Sequence, residues 1–183
     1  MLVTGLDIKD VKLIVAKRFG DHRGFFSEVY NSKAFAEAGI TASFVQDNHS
    51  LSLEKGTIRG LHFQSPPHAQ SKLVRVVRGR ILDIALDLRL ASPTYGRHAM
   101  AELSAENWTQ LFVPEGFAHG FCTLERDTEV HYKISNYYEP KSEAGVLWSD
   151  PDLAINWPVS ASEAILSEKD AALPQLRDIG FPF

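Results

Sequence analysis

Leu73-Val74-Arg75-Val76-Val77-Arg78-Gly79-Arg80-Ile81-Leu82-Asp83-Ile84-Ala85-Leu86-Asp87-Leu88 is the stretch on which the fold assignment turns. Its two ends are rich in β-branched and apolar residues, and Arg78-Gly79-Arg80 between them reads as a hairpin turn. From Ile81 onward the residues alternate: Leu82, Ile84, Leu86 and Leu88 share one face of a strand, Asp83 and Asp87 the other. Outward from this pair the same texture repeats. Further strands are expected over residues 11–19, 25–30, 43–53, 98–103, 110–113, 119–124 and 128–135, separated by turn residues. Helical signals are few. Ser32 can cap residues 33–38 with Gly39 as the stop, and Ser167 can cap a short turn through Ala172. Many short strands with little helix predict a mainly β protein, a barrel-like double-sheet jelly roll with a few short helices.

The 183 residues are 44% hydrophobic and 23% charged, the balance of a globular chain rather than a disordered one. No repeat, low-complexity tract or composition shift marks a linker, so one domain spanning residues 1–183 is expected. A net charge of −4 gives no basic footprint for nucleic acid, yet a few converging cations can still hold an anionic small ligand. No apolar run approaches the ~18 residues of a membrane span. Residues 1–7 lack the basic flank and apolar stretch of a secretory signal. Cys122 is the single cysteine and sits in an apolar run, which suits a buried thiol in a reducing compartment. The expectation is a cytoplasmic protein that binds neither nucleic acid nor membrane.

Two segments carry imidazoles within strand patterns. In Thr57-Ile58-Arg59-Gly60-Leu61-His62-Phe63-Gln64, regular alternation puts Arg59, Leu61 and Phe63 on one face and Ile58, Gly60, His62 and Gln64 on the other, unless a bulge intervenes. Gly60 leaves room beside His62 for a ligand or a close backbone. Pro114-Glu115-Gly116-Phe117-Ala118-His119 is a turn that delivers an imidazole to a barrel mouth. Together they resemble the paired motifs of the cupin superfamily, His-x-His with a Glu, then Pro-x-Gly-x-x-His, which hold metal ions in many members. Here Gln64 replaces the second His, no Glu follows at short spacing, and Lys72 would repel a cation, so no metal is expected.

A narrower resemblance runs in order along nearly the whole chain. Its blocks are Phe19-Gly20-Asp21-His22-Arg23-Gly24-Phe25-Phe26, Phe44-Val45-Gln46-Asp47-Asn48-His49-Ser50, Arg59-Gly60-Leu61-His62-Phe63-Gln64, Lys72-Leu73-Val74-Arg75, residues 114–121, Tyr132-Lys133 with Asn136-Tyr137-Tyr138, Glu143 with Leu147-Trp148, and Ser167-Glu168-Lys169-Asp170. They resemble the dTDP-4-dehydrorhamnose 3,5-epimerase family. The resemblance implies a cupin-type double-stranded β-helix that works as a homodimer with strand exchange. It implies a dTDP-4-keto-6-deoxy sugar substrate, no cofactor, and a place in making dTDP-L-rhamnose for surface polysaccharide such as lipopolysaccharide.

Such a ketone acidifies the hydrogens on carbons 3 and 5. Inverting either centre needs a base on one face, a proton donor on the other, and a group that stabilises the enolate. The resemblance gives these roles to His62 as base with Asp170 as its carboxylate partner, to Tyr132 as donor, and to Lys72 at the enolate with a second hydrogen bond from His119. It gives the diphosphate to Arg23 and Arg59, thymine stacking to Phe26 and Tyr138, and polar contacts to Glu28, Gln46, Asn48, Glu143 and Lys169, some of them from the partner subunit. On the residues alone, epimerisation at one carbon, a metal-dependent cupin and a non-catalytic binding module stay open.

Overall fold

The computed structural model describes residues 1–180 and 182–183. Strands β1 (Leu2–Gly5), β2 (Lys12–Val15), β10 (Thr109–Val113), β7 (Lys72–Arg78), β12 (Thr128–Ile134) and β5 (Gln46–Ser52) form a six-stranded sheet in that spatial order. Strands β13 (Glu143–Gly145), β6 (Ile58–Gln64), β11 (Phe117–Thr123), β8 (Arg80–Asp87) and β9 (His98–Ser104) form a five-stranded sheet. Strands β3 (Arg18–Asp21) and β4 (Gly24–Ser27) pair only with each other. Both large sheets are antiparallel, and they face each other across a core to which Val74, Val76 and Val130 come from one and Ile81, Ala85 and Phe121 from the other. This is the expected jelly roll. Among the described residues no helix is long and apolar enough to cross a membrane.

The Arg78-Gly79-Arg80 turn is not a hairpin. β7 pairs with β10 and β12, whereas β8 pairs with β11 and β9, so the chain turns a corner from one sheet to the other. Gly79 has φ +76, and a Cβ there would lie 2.4 Å from Thr128 Oγ1. Composition cannot separate the two cases, because a tight hairpin and a sheet-to-sheet corner both ask for positive φ. The run expected over residues 11–19 is likewise two strands, β2 in the large sheet and β3 in the separate hairpin.

Alternation along β8 holds, but it is inside out. Ile84, Leu86 and Leu88 face away from the interior and are covered by Val146, Leu153 and Trp157 of the later chain. Asp83 and Asp87 share the inward row with Ile81 and Ala85. A strand covered on both faces buries every side chain from Asp83 to Leu88, and each of Ile84, Leu86 and Leu88 contributes about 1.5–3 kcal/mol. Asp87 is kept charged there by the Arg89 guanidinium and the hydroxyls of Ser92 and Thr94.

Helix α1 (Ser32–Glu37) starts one residue earlier than expected. Asn31 is the cap, its Oδ1 accepting from the Ala34 N–H at 3.2 Å; Ser32 is the first helical residue. Helix α2 (Glu168–Ala171) is capped as expected by Ser167, whose hydroxyl accepts from the Asp170 N–H at 3.1 Å.

A bulge does intervene in β6. His62 lies opposite His119, but Arg59 rather than Gly60 lies opposite Phe121. Arg59 is thereby turned to the side of His62, while Leu61 and Phe63 pack outward. Gly60 takes φ +123, and a Cβ on it would meet Gly120 Cα at 2.6 Å and His119 O at 2.7 Å. Gly60→Ala is therefore expected to lower stability by about 1–3 kcal/mol, read as a fall in the urea midpoint. An unchanged midpoint would contradict this close approach of β6 and β11.

Candidate active site

Side chains from both sheets and from α2 enclose a cavity of about 440 Å³, with Arg59, His62, Lys72, His119, Tyr132 and Asp170 on its walls. A second lobe of about 250 Å³ shares His62, Lys72 and Tyr132 with it and adds Gln46, Asn48, Tyr138 and Glu143. Strand geometry explains the gathering. Gln46 and Asn48 are two apart on β5, and His62 and Arg59 reach one side through the bulge. Lys72 opens β7 and Tyr132 lies on its neighbour β12.

His62 Nε2 lies 2.5 Å from Asp170 Oδ1. Burial alone would push the Asp170 carboxyl up. The hydrogen bond and charge of His62, then Ser167 and Lys169, outweigh it and hold the carboxyl below its ordinary range. An ionised Asp170 accepts a hydrogen bond from the Nε2–H of a neutral imidazole and leaves the lone pair at Nδ1 free to act as a base.

Lys72 is only 8% exposed. Its Nζ donates to the His62 carbonyl at 3.3 Å. Burial pulls its ammonium down to about 8, against the opposing charges of Asp83 and Glu143. The Tyr132 phenol is pushed up by burial, which outweighs the nearby Arg59 and is joined by Glu143, so it stays protonated and able to donate. Arg59 is braced by β5, donating from Nε to Ser52 Oγ at 3.1 Å and from Nη2 to the Leu51 carbonyl at 3.0 Å.

In the second lobe Glu143 accepts from the Tyr138 hydroxyl at 2.7 Å and pairs with Lys169 at 2.5 Å. Gln46 Nε2 donates to Asn48 Oδ1 at 2.9 Å. His119 lines the cavity, but its Nε2 is taken by the fully buried Asp83, whose Oδ1 is 2.6 Å away.

Three expected site residues are not gathered within this chain. Arg23 forks onto Asp21 in the β3–β4 hairpin, Phe26 on the same hairpin is 69% exposed, and Glu28 just beyond it is exposed; none lines the cavity. Gln64 occupies the position of a cupin metal ligand. Its amide instead donates to the carbonyls of His68 and Tyr137 at 2.7 and 3.2 Å and accepts from the Glu139 N–H at 2.8 Å. Among the described residues no group of three or more His, Cys, Asp or Glu side chains is arranged to hold a metal ion.

Sequence reasoning gave no role to Asp83, although alternation set it apart from the leucine row. Its partner His119 is on another strand, which one strand's periodicity cannot reveal. Ser50 also lines the cavity, on the same alternating row of β5 as Gln46 and Asn48, and so do Ile165 and Leu166, which no local pattern marks. Ile165 gets there through an isolated bridge to Thr57.

Comparison with known proteins bears on the same geometry. The family profile described as dTDP-4-dehydrorhamnose 3,5-epimerase matches residues 5–178. A dTDP-4-dehydrorhamnose 3,5-epimerase of Sinorhizobium fredii is 49% identical over 100% of this chain and 93% of its own. The crystal structure of a dTDP-4-dehydrorhamnose 3,5-epimerase from Bacillus anthracis with TDP and PPi bound superposes with a TM-score of 0.92 at 52% identity, covering 95% of this chain and 98% of that one. A dTDP-6-deoxy-D-glucose-3,5-epimerase from Legionella pneumophila in complex with dTDP-4-keto-L-rhamnose gives a TM-score of 0.93 at 45% identity, covering 97% and 94%. With a profile spanning almost its full length and relatives near half identity end to end, this chain belongs to the dTDP-4-dehydrorhamnose 3,5-epimerase family.

Proposed function

We propose that this protein inverts carbons 3 and 5 of dTDP-4-dehydro-6-deoxy-D-glucose to give dTDP-4-dehydro-L-rhamnose. One observation carries the reading: His62 and Tyr132 stand on strands of opposite sheets and line the same cavity, with the buried Lys72 beside His62. His62 Nδ1 takes the proton from the carbon next to the ketone, and the C–H electrons move onto the 4-oxygen. The Lys72 ammonium stabilises that oxygen, an effect worth roughly 3 kcal/mol in a water-poor site. The Tyr132 phenol then returns a proton to the opposite face of the carbon. The phenolate regains its proton from solvent, the imidazolium loses its own, and the second carbon is inverted in the same way. The ketone itself supplies the acidity, so the chemistry needs no cofactor.

Arg59 supplies a guanidinium for the diphosphate, and His119 a further hydrogen bond near the sugar. Gln46, Asn48, Tyr138, Glu143 and Lys169 contact the nucleotide sugar. Arg23, Phe26 and Glu28 enter this reading through a homodimer with strand exchange. Two facts support it: the hairpin that carries the first two joins neither large sheet, and it holds Phe19, Phe25 and Phe26 out to solvent. A single domain over residues 1–183, a cytoplasmic setting and a product destined for surface polysaccharide belong to the same proposal.

In deuterated water the enzyme is expected to place label at both carbons 3 and 5. His62→Ala is expected to abolish exchange while the Kd for dTDP changes by less than about threefold. Label at one carbon only would make it a single-centre epimerase, and exchange surviving in His62→Ala would remove His62 as the base. Mixing inactive His62→Ala with inactive Arg23→Ala chains tests the dimer. If each site takes Arg23 from its partner, random reassociation restores about a quarter of the sites. No recovery would mean that Arg23 serves its own chain or none.

A further inference from the structure

We propose that Asp83 is a positioning residue for the reaction, a buried anion tethered by His119 that keeps Lys72 charged beneath the substrate oxygen. The inference rests on the epimerase reading of the cavity. Asp83 lies on the inward row of β8, opposite Phe121 of β11, and is 0% exposed. Its Oδ1 accepts from His119 Nε2, while its Oδ2 is buried with no hydrogen-bond partner among the described residues. An unsatisfied buried carboxylate oxygen is costly and calls for a use.

Lys72, on the wall of the cavity that His119 also lines, is the cation whose charge Asp83 offsets, at longer range than a salt bridge. Among the described residues its ammonium has one protein acceptor, the His62 carbonyl, for three protons. The charged or titratable groups around it are Arg59 and His62 on β6, Tyr132 on β12, His119 on β11, Glu143 on β13, and Lys169 with Asp170 on α2. Of the carboxylates, Asp170 is held by His62, and Glu143 is shared by Tyr138 and Lys169. Of the three, Asp83 is the one with a buried oxygen that no donor reaches among the described residues. It is also the foremost of the charges that offset the burial of Lys72, ahead of Glu143.

Asp83→Asn removes the charge and keeps the shape. Without the anion the neutral amine is favoured, so Lys72 loses its proton at lower pH than before. In the unaltered enzyme kcat is expected to fall as pH rises through about 8. In Asp83→Asn that alkaline limb is expected to move down by about one pH unit or more, with kcat at neutral pH lower by roughly tenfold and the Kd for dTDP changed by less than about threefold. The Lys72 ammonium, followed directly by NMR titration, should move with it. A lower kcat with the alkaline limb and the Lys72 titration unmoved would make Asp83 a structural residue and overturn the inference.

Should Asp83→Asn fail to fold, the double variant Lys72→Met/Asp83→Asn decides. Its folding would tie the two residues together, and its failure to fold would assign Asp83 to the core alone. The Lys72 titration needs no turnover, so it separates failure here from failure of the epimerase reading, which would appear as no deuterium uptake by the unaltered enzyme.

Discussion

Ionised side chains persist inside this barrel because most of them are neutralised by a partner on another element. Asp170 on α2 holds His62 on β6, Asp83 on β8 holds His119 on β11, and Glu143 on β13 holds Lys169 on α2. A buried charge without such a partner would neutralise itself, a carboxylate by gaining a proton and an ammonium by losing one, or unfold its surroundings. The pairs therefore do two things at once. They make a polar cavity compatible with an apolar core, and they set the protonation states that acid–base chemistry requires. Asp170 stays ionised, Tyr132 stays protonated, and Lys72 keeps its charge near neutrality.

The later part of the chain links packing to this arrangement. Val146, Leu153 and Trp157 cover the outward leucine row of β8 and so close the five-stranded sheet on its far side. The same segment continues into α2, which lays Asp170 and Lys169 against the cavity. Gly145 lets it come close, since a Cβ there would meet the Leu61 carbonyl oxygen at 2.6 Å and the Leu173 methyl groups at 2.8 and 2.9 Å. Hydrophobic burial of the outer face thus places the carboxylate that orients the base.

Much of this was legible in the sequence, for reasons that differ by element. Period-two alternation and frequent turn residues give the mainly β class, and Ser167 announces α2 because a cap is a local event. The sheet order was not legible. Whether Gly79 closes a hairpin or turns a corner depends on β10 and β12, which lie far along the chain. Alternation in β8 showed that Asp83 and Asp87 share a face, but not that this face is the inner one, because the covering residues come more than fifty positions later. The bulge at Gly60 depends on the approach of Gly120 from β11, so alternation within β6 alone does not show that Arg59 shares a side with His62. Of the candidate site, the residues on the barrel strands and α2 come together in one chain. Arg23 and Phe26 do not, because their hairpin belongs to neither sheet, and neither does Glu28 just beyond it.

A crystal structure with dTDP-4-dehydro-L-rhamnose bound is the most direct test of a proton removed on one face and returned on the other. Carbon 3 or carbon 5 should lie between His62 Nδ1 and Tyr132 Oη, each within about 3–3.5 Å and on opposite faces of the sugar ring, with Lys72 Nζ at the 4-oxygen. A sugar that meets both groups on one face, or that sits outside the cavity they line, would contradict it.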